Sequence, residues 1–312
     1  MDLIKPRKLP KNATIGVVAP ASPAKPERLE NGVRYLEKLG YRVELGKNVE
    51  KTNGYLAGSD EERISDVEEM FERPDVDAIF CVRGGYGTPR FLRKLDYDVI
   101  RRNPKIFVGY SDLTALQMAI FQKTGLVTFS GPMVAVEFAA GIDPRTESNF
   151  WGILDGEKTA PITLSPLEED FQIISQGKGK GSILGGCLSL VAGLPGTPFM
   201  PDLSNNILIL EDIGEEPRKI DYCLARLQNA GVFDHISGLI LGQFIDCKPE
   251  EGFPSATIDE ILTEYFGDLP IPVISHFDYG HGGVKHTIPF GIKIKIQTSL
   301  LSVELVENAV SA

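Results

Sequence analysis

"KIFVGYSDLTALQMAIFQKTGLVTFS", residues 105–130, reads as strand, helix and strand in succession. The apolar run Ile106-Phe107-Val108 ends at Gly109-Tyr110. Leu113, Leu116 and Ile120 then recur at helical spacing, and Gly125 precedes a second apolar run from Leu126 to Phe129. A helix that returns the chain between two short apolar strands is the repeating unit of a parallel sheet. Ser111 stands at the strand-to-helix turn of that unit. It either caps the helix or is presented there as a nucleophile.

The same alternation extends upstream. "ATIGVVAP" (13–20) is a β-branched run, and "PERLENGVRYLEKLG" (26–40) spaces Leu29, Val33, Leu36 and Leu39 for a helix that Gly40 stops. "YRVELG" (41–46) is a short strand. "SDEERISDVEEMFERP" (59–74) opens with Ser59 as N-cap and Glu62 at the capping-box position. "DAIFCVRGGYG" (77–87) is a strand running into a glycine cluster. Short apolar strands alternating with helices predict an α/β domain over residues 1–145. Its sheet is expected to be mostly parallel, covered on both faces and joined by right-handed crossovers.

Residues 146–179 mix polar and turn-forming types and read as a connecting segment, part of which is expected to pair as an antiparallel hairpin. A second domain is expected over 180–312. It has strands at 206–212 and 236–244, helices at 216–231 and 257–266, and a β-rich end from Thr287 that reads as strands and hairpins.

Composition narrows the function. The 312 residues are 42% hydrophobic and 24% charged, and the formal net charge of -11 argues against a nucleic-acid partner. No apolar run reaches membrane-spanning length, and the start lacks an apolar signal-peptide core, so a cytoplasmic protein is expected. Cys81, Cys187, Cys223 and Cys247 are scattered, and the four histidines lack metal-ligand spacing; neither zinc nor a disulfide framework is expected.

In open α/β sheets ligands sit at the carboxyl ends of the strands. "VRGGYG" (82–87), "GYSD" (109–112) and "SGPM" (130–133) all fall at such ends. Gly-X-Ser before a helix has the context of a nucleophile elbow, although Leu113 stands where the G-x-S-x-G pattern has glycine. The N–H of Asp112 is placed to serve as an oxyanion donor. Gly84, Gly85 and Gly87 either make a flexible turn or let backbone N–H groups approach a ligand. Arg83 is either a carboxylate anchor or a surface cation. A serine nucleophile needs a base, and His281 and His286 of "DYGHGGVKH" (278–286) are equal candidates by spacing. It also needs an orienting carboxylate, which "ILILEDIGEEP" (207–217) offers at Glu211, Asp212, Glu215 and Glu216. The competing class is a two-domain small-molecule binding protein in which Ser111 is only a cap.

Taken together, "IGVVAPAS", "GYLAGSDEERISDVEEMF", "DAIFCVRGGYG", "VGYSDLTAL", "SGPM", "GGCLSLVAGLPGTPF", "LILEDIGEEPRKIDYCLARL" and "YGHGGVKHTIPFG" resemble, in this order and over essentially the whole chain, the LD-carboxypeptidase serine peptidases. That family includes the muramoyltetrapeptide carboxypeptidases and the microcin C resistance peptidases. The resemblance implies a flavodoxin-like, class I glutamine-amidotransferase-like N-terminal domain, a β-rich α/β C-terminal domain, and a homodimer.

It also implies that Ser111 is the nucleophile, His281 the base and Glu211 the orienting carboxylate, with Glu215 second choice. Gly85 and Asp112 supply the oxyanion N–H groups, and Arg83, Gly84 and Glu215 contact substrate. The implied reaction is release of C-terminal D-alanine from a murein tetrapeptide, without metal or cofactor, in a cleft between the domains. A peptidyl-nucleotide antibiotic is the alternative substrate, with Trp151 or Phe171 in a specificity loop at 140–180. Gly185-Gly186-Cys187 departs from the Gly-Gly-Asn common in relatives, replacing an amide at a position implied to touch substrate.

Overall fold

The computed structural model describes residues 2–164, 166, 171–252 and 254–312. Ser165 and Leu167–Asp170, part of the expected specificity loop, lie outside the described residues. The chain forms two compact units. One runs to Thr159 and takes back Thr287–Gly291 and Asn308–Ala312; the other comprises Ala160–His286 and Ile292–Glu307.

The first unit strings together β1 (Thr14–Val18), α1 (Pro26–Lys38), β2 (Arg42–Leu45), α2 (Asp60–Glu72), β3 (Ala78–Cys81), α3 (Tyr97–Arg102), β4 (Ile106–Val108), α4 (Leu113–Thr124), β5 (Thr128–Ser130) and α5 (Pro144–Leu154). The second continues with β6 (Ile162–Thr163), β7 (Gln172–Ser175), β8 (Lys178–Cys187), α6 (Leu188–Val191), β9 (Ile207–Ile213), α7 (Pro217–Asn229), β10 (Gly238–Ile245), α8 (Ile258–Phe266) and β11 (Val273–Ser275). Then β12 (Ile288–Phe290) returns to the first unit, and β13 (Lys293–Gln297) and β14 (Ser302–Leu305) close the second.

The first sheet has the order β2-β1-β3-β4-β5-β12, parallel except for β12, which runs antiparallel to β5. Strands β1, β3, β4 and β5 are buried along their whole length, as a sheet covered on both faces requires. Helix α4 is buried from Leu113 to Ile120, and its apolar surface runs around the whole helix rather than along one stripe. Helix α2 begins with the expected capping box: the Glu62 N–H donates to Ser59 Oγ, and the Ser59 N–H to Glu62 Oε2. Val18 pairs with Cys81 and Phe80 with Val108, so β1, β3 and β4 end level and the three segments that follow them emerge at one edge.

The second sheet has the order β6-β14-β13-β8-β9-β10-β11-β7, with β8 to β11 parallel and the flanking strands antiparallel. The hairpin of β13 and β14 agrees with the reading of the β-rich end. The connecting segment corrects its reading. Strand β7 does not pair with its neighbour in sequence but lies antiparallel to β11 at the far edge, because β8 already has β9 and β13 on its two sides. A corner at Gln176-Gly177, held by the Thr298 hydroxyl and N–H, turns the chain from one to the other. No helix among the described residues is long and apolar enough to cross a membrane.

Candidate active site

The candidate site residues fall into two groups, one on each unit. In the first unit β4 ends at Val108 and Ser111 follows with φ of +66°, a left-handed conformation that non-glycine residues adopt at a cost of about 1–2 kcal/mol. That torsion is not that of an N-cap. Asp112, already right-handed, takes the position before Leu113, and no N–H at the start of α4 donates to Ser111 Oγ. Ser111 is thus set on a strained turn between a buried strand and a buried helix, the local geometry of a nucleophile elbow.

The glycine cluster after β3 lies directly on this turn. A Cβ on Gly84 would stand 2.7 Å from Ser111 Cβ and 2.9 Å from its Oγ, so only glycine allows the approach. Three polar side chains hold the cluster in place. The buried Asp112 carboxylate accepts the N–H groups of Gly87 at 3.1 Å and Thr88 at 2.9 Å, while the Thr88 hydroxyl donates back to the Asp112 carbonyl at 2.6 Å. Burial pushes the Asp112 carboxyl above its ordinary value, and these donors pull it back. Ser22, just beyond β1, accepts the Tyr86 N–H at 3.1 Å and donates to the Tyr55 carbonyl at 2.7 Å. The N–H groups of Gly85 and Asp112 have no hydrogen-bond acceptor among the described residues of this unit. One lies in the glycine cluster and one in the serine turn, and a pair of such donors can stabilise an oxyanion. Arg83 is exposed and points its chemistry to a different place, a cavity shared with Lys25 and Arg28.

In the second unit β9 carries Glu211, 1% exposed, two residues before its end, and the loop after β11 brings His281 to it. His281 Nδ1 and Glu211 Oε2 are 2.7 Å apart. With Nδ1–H donated to the carboxylate, Nε2 is left as the acceptor, the tautomer a general base requires. Gly280 makes the contact possible: its φ is +115°, and a Cβ there would stand 2.5 Å from Glu211 Oε2. Burial raises the Glu211 carboxyl above its ordinary value, with the hydrogen bond and charge of His281 opposing.

The other candidates separate from this pair. His286 is buried, donates its N–H to the Asp278 carbonyl at 2.7 Å and stacks its ring on Phe277 at 5.4 Å between centroids. Glu215 is half-exposed and forms an ion pair with Lys219 at 3.3 Å. Asp212 braces the chain after β8, accepting the Ser189 N–H at 2.8 Å and the Cys187 thiol at 3.4 Å. Trp151 departs from the expectation of a specificity-loop aromatic. It lies in α5, stacked with Tyr41 and Phe138 and hydrogen-bonded to the Tyr35 hydroxyl, because the aromatic residues of α1 and α5 and of the 134–138 turn share one cluster. Phe171 is half-buried just before β7. Sequence reading missed Ser22 and Thr88. Ser22 had a weak signal, its place just past the end of β1; Thr88 had none, since its partner is 24 residues away.

Residues 15–131 match the LD-carboxypeptidase N-terminal domain and residues 180–296 the LD-carboxypeptidase C-terminal domain. A Bacillus subtilis (strain 168) protein named probable murein peptide carboxypeptidase is 39% identical over 297 residues, 95% of this chain and 92% of that protein. The wild-type apo structure of the microcin C7 self-immunity protein MccF superposes with a TM-score of 0.90 at 30% identity, covering 99% of this chain and 100% of the other. Muramoyltetrapeptide carboxypeptidase from Oxalobacter formigenes gives 0.82 at 31% identity, covering 94% and 97%.

Proposed function

The chain belongs to the LD-carboxypeptidase family of serine peptidases, and we propose that it releases a C-terminal D-alanine from a murein tetrapeptide through Ser111, His281 and Glu211. The observation that carries this reading is the buried Glu211–His281 pair at 2.7 Å, a carboxylate set to orient an imidazole. The strained Ser111 turn, with two N–H donors that have no acceptor among the described residues of its unit, supports it independently.

The chemistry follows from the groups available. Ser111 Oγ attacks the carbonyl carbon of the L,D-amide as His281 Nε2 takes its proton. The Gly85 and Asp112 N–H groups receive the oxyanion. The imidazolium then protonates the departing D-alanine nitrogen as the C–N bond breaks, leaving an ester on Ser111. Water, deprotonated by the same nitrogen, attacks that ester, and the proton returns to Ser111 Oγ. Glu211 stays ionised throughout and holds the tautomer. The steps require Ser111 Oγ within hydrogen-bond reach of Nε2 in the substrate complex.

The first sheet's order, 2-1-3-4-5 over β1 to β5, supports a flavodoxin-like description of that unit. Homodimerisation and a cytoplasmic site of action belong to the same proposal, tested by sedimentation and cell fractionation. Likeness to MccF favours one second reading, hydrolysis of a peptidyl-nucleotide; with Trp151 packed inside the first unit, Phe171 is left as the aromatic for a base to stack on.

D-Alanine release from a muramyl tetrapeptide tests the proposal. Ser111→Ala and His281→Ala are each expected to lower kcat by about 10⁴-fold or more, with the double variant no worse than either. His286→Ala is expected to retain release and to lose thermal stability. Release that survives Ser111→Ala would return the serine to a structural role. Turnover of a peptidyl-nucleotide in place of the tetrapeptide would select the second reading.

A further inference from the structure

A cavity of about 320 Å³ in the first unit is lined by Ala24, Lys25, Arg28, Arg83, Ala135 and Val136. Its three charged residues are all cations, in a chain whose formal net charge is -11. None of the three forms an ion pair among the described residues, whereas Arg63, Arg73, Arg90, Lys94 and Arg101 of the same unit all do. The carboxylate of Glu137, next to Val136, is turned away to the Tyr110 hydroxyl at 2.8 Å and the Met133 N–H at 3.0 Å.

The position in the fold singles out the same place. The sheet order reverses between β1 and β3, and a crevice outside the carboxyl ends of the strands flanking such a reversal is where open α/β sheets receive ligands. Ala24 and Lys25 follow β1, and Arg83 follows β3. The cavity adjoins the reaction centre through the chain itself: Arg83 precedes Gly84, which lies on Ser111, and Ala24 stands two residues past Ser22, which holds the Tyr86 N–H.

Resting on the carboxypeptidase reading, we infer that Lys25, Arg28 and Arg83 form a subsite for a free carboxylate on the acyl part of the peptide, the part retained after cleavage. The carboxylate of the departing residue lies only about 4 Å from the scissile carbonyl carbon, three bonds away. Neither Ser111, Gly84, Gly85 nor Asp112 lines the cavity, so a group bound in it belongs to the longer, acyl side. Guanidinium forks suit a carboxylate through paired N–H donors.

The test uses the full chain carrying Ser111→Ala, so that binding is read without turnover. Calorimetry compares a tetrapeptide whose acyl-side carboxylates are free with the same peptide in which they are amides, the C-terminal carboxylate being free in both. The acid is expected to bind about tenfold more tightly, a preference that shrinks as salt is added. Adding Arg28→Gln or Lys25→Gln is expected to remove most of that preference while leaving the affinity of the amide unchanged. Equal affinity for acid and amide, or an equal loss for both on substitution, overturns the subsite. A preserved preference together with no D-alanine release by the folded wild type upholds the subsite and overturns the carboxypeptidase reading.

Discussion

The turn around Ser111 and the strand end around Glu211 are both buried, and they hold their chemistry in different materials. Around Ser111 it is held by backbone: a positive φ, a glycine against the serine, and N–H groups without acceptors among the described residues of that unit. The side chains there, Asp112, Thr88 and Ser22, hold loops rather than face a reaction. Around Glu211 it is held by side chains: a carboxylate removed from water and an imidazole locked onto it. Each region gives up stability for its task, the first as torsional strain and the second as a buried charge. The two forms of strain respond to different substitutions and, in one case only, to pH.

The largest expected contrast concerns Glu211→Gln. Burial raises the Glu211 carboxyl, with His281 opposing. The folded protein therefore holds that proton more readily than the unfolded chain, and the stability tied to this group is lost as pH rises through its folded value. The rate has the opposite demand, because only the carboxylate orients the imidazole, and it falls as pH drops through the same value. Glu211→Gln should lower kcat about 10³-fold while raising Tm at pH 8, with the gain shrinking toward acid pH. A lower Tm at pH 8 would show that the hydrogen bond to His281 outweighs the buried charge and would break the comparison.

A substitution of intermediate effect sharpens the backbone side. Gly84→Ala adds one methyl group 2.7 Å from Ser111 Cβ. A displacement of the nucleophile by a fraction of an ångström to one ångström should lower kcat/KM about 10²-fold, with far-ultraviolet circular dichroism unchanged. Full activity would mean that the glycine loop has room to move away. The smallest effect is thermodynamic. Ser111→Gly and Ser111→Ala are both expected to be inactive, but glycine carries no penalty at φ of +66°. Denaturant titration should find Ser111→Gly more stable than Ser111→Ala by about 1 kcal/mol. No difference would place the strain elsewhere in the turn.

Much of the fold was legible from local pattern. The buried strands β1, β3 and β4 are the β-branched and apolar runs picked out in the sequence, and α2 starts at the capping box that Ser59 and Glu62 spell. Three readings did not carry over for one reason, partner choice at long range. Strand β7 pairs with β11 rather than with β8, β12 joins β5 across a large separation in sequence, and Trp151 enters an aromatic cluster assembled from α1, α5 and the 134–138 turn. The site divided in the same way. Ser111 and the glycine cluster could be singled out because turn chemistry is local. His281 and His286 were equal by spacing, and what distinguishes them is that one ring meets a buried carboxylate and the other stacks on Phe277.

By itself, the sequence determined the βα alternation, the strand-end position of the serine, and an ordered set of motifs that identifies the family. Each of these depends on periodicity, capping or turn propensity within a few residues. Distances in the tertiary structure settled that Asp112 braces the loop it faces, that Glu211 rather than Glu215 meets His281, and that three cations with no ion pair among the described residues share one cavity. Those are matters of distance between residues far apart in the chain. Hydrogen bonds, charge pairing and desolvation depend on that distance, and the order of residues along the chain does not encode it locally.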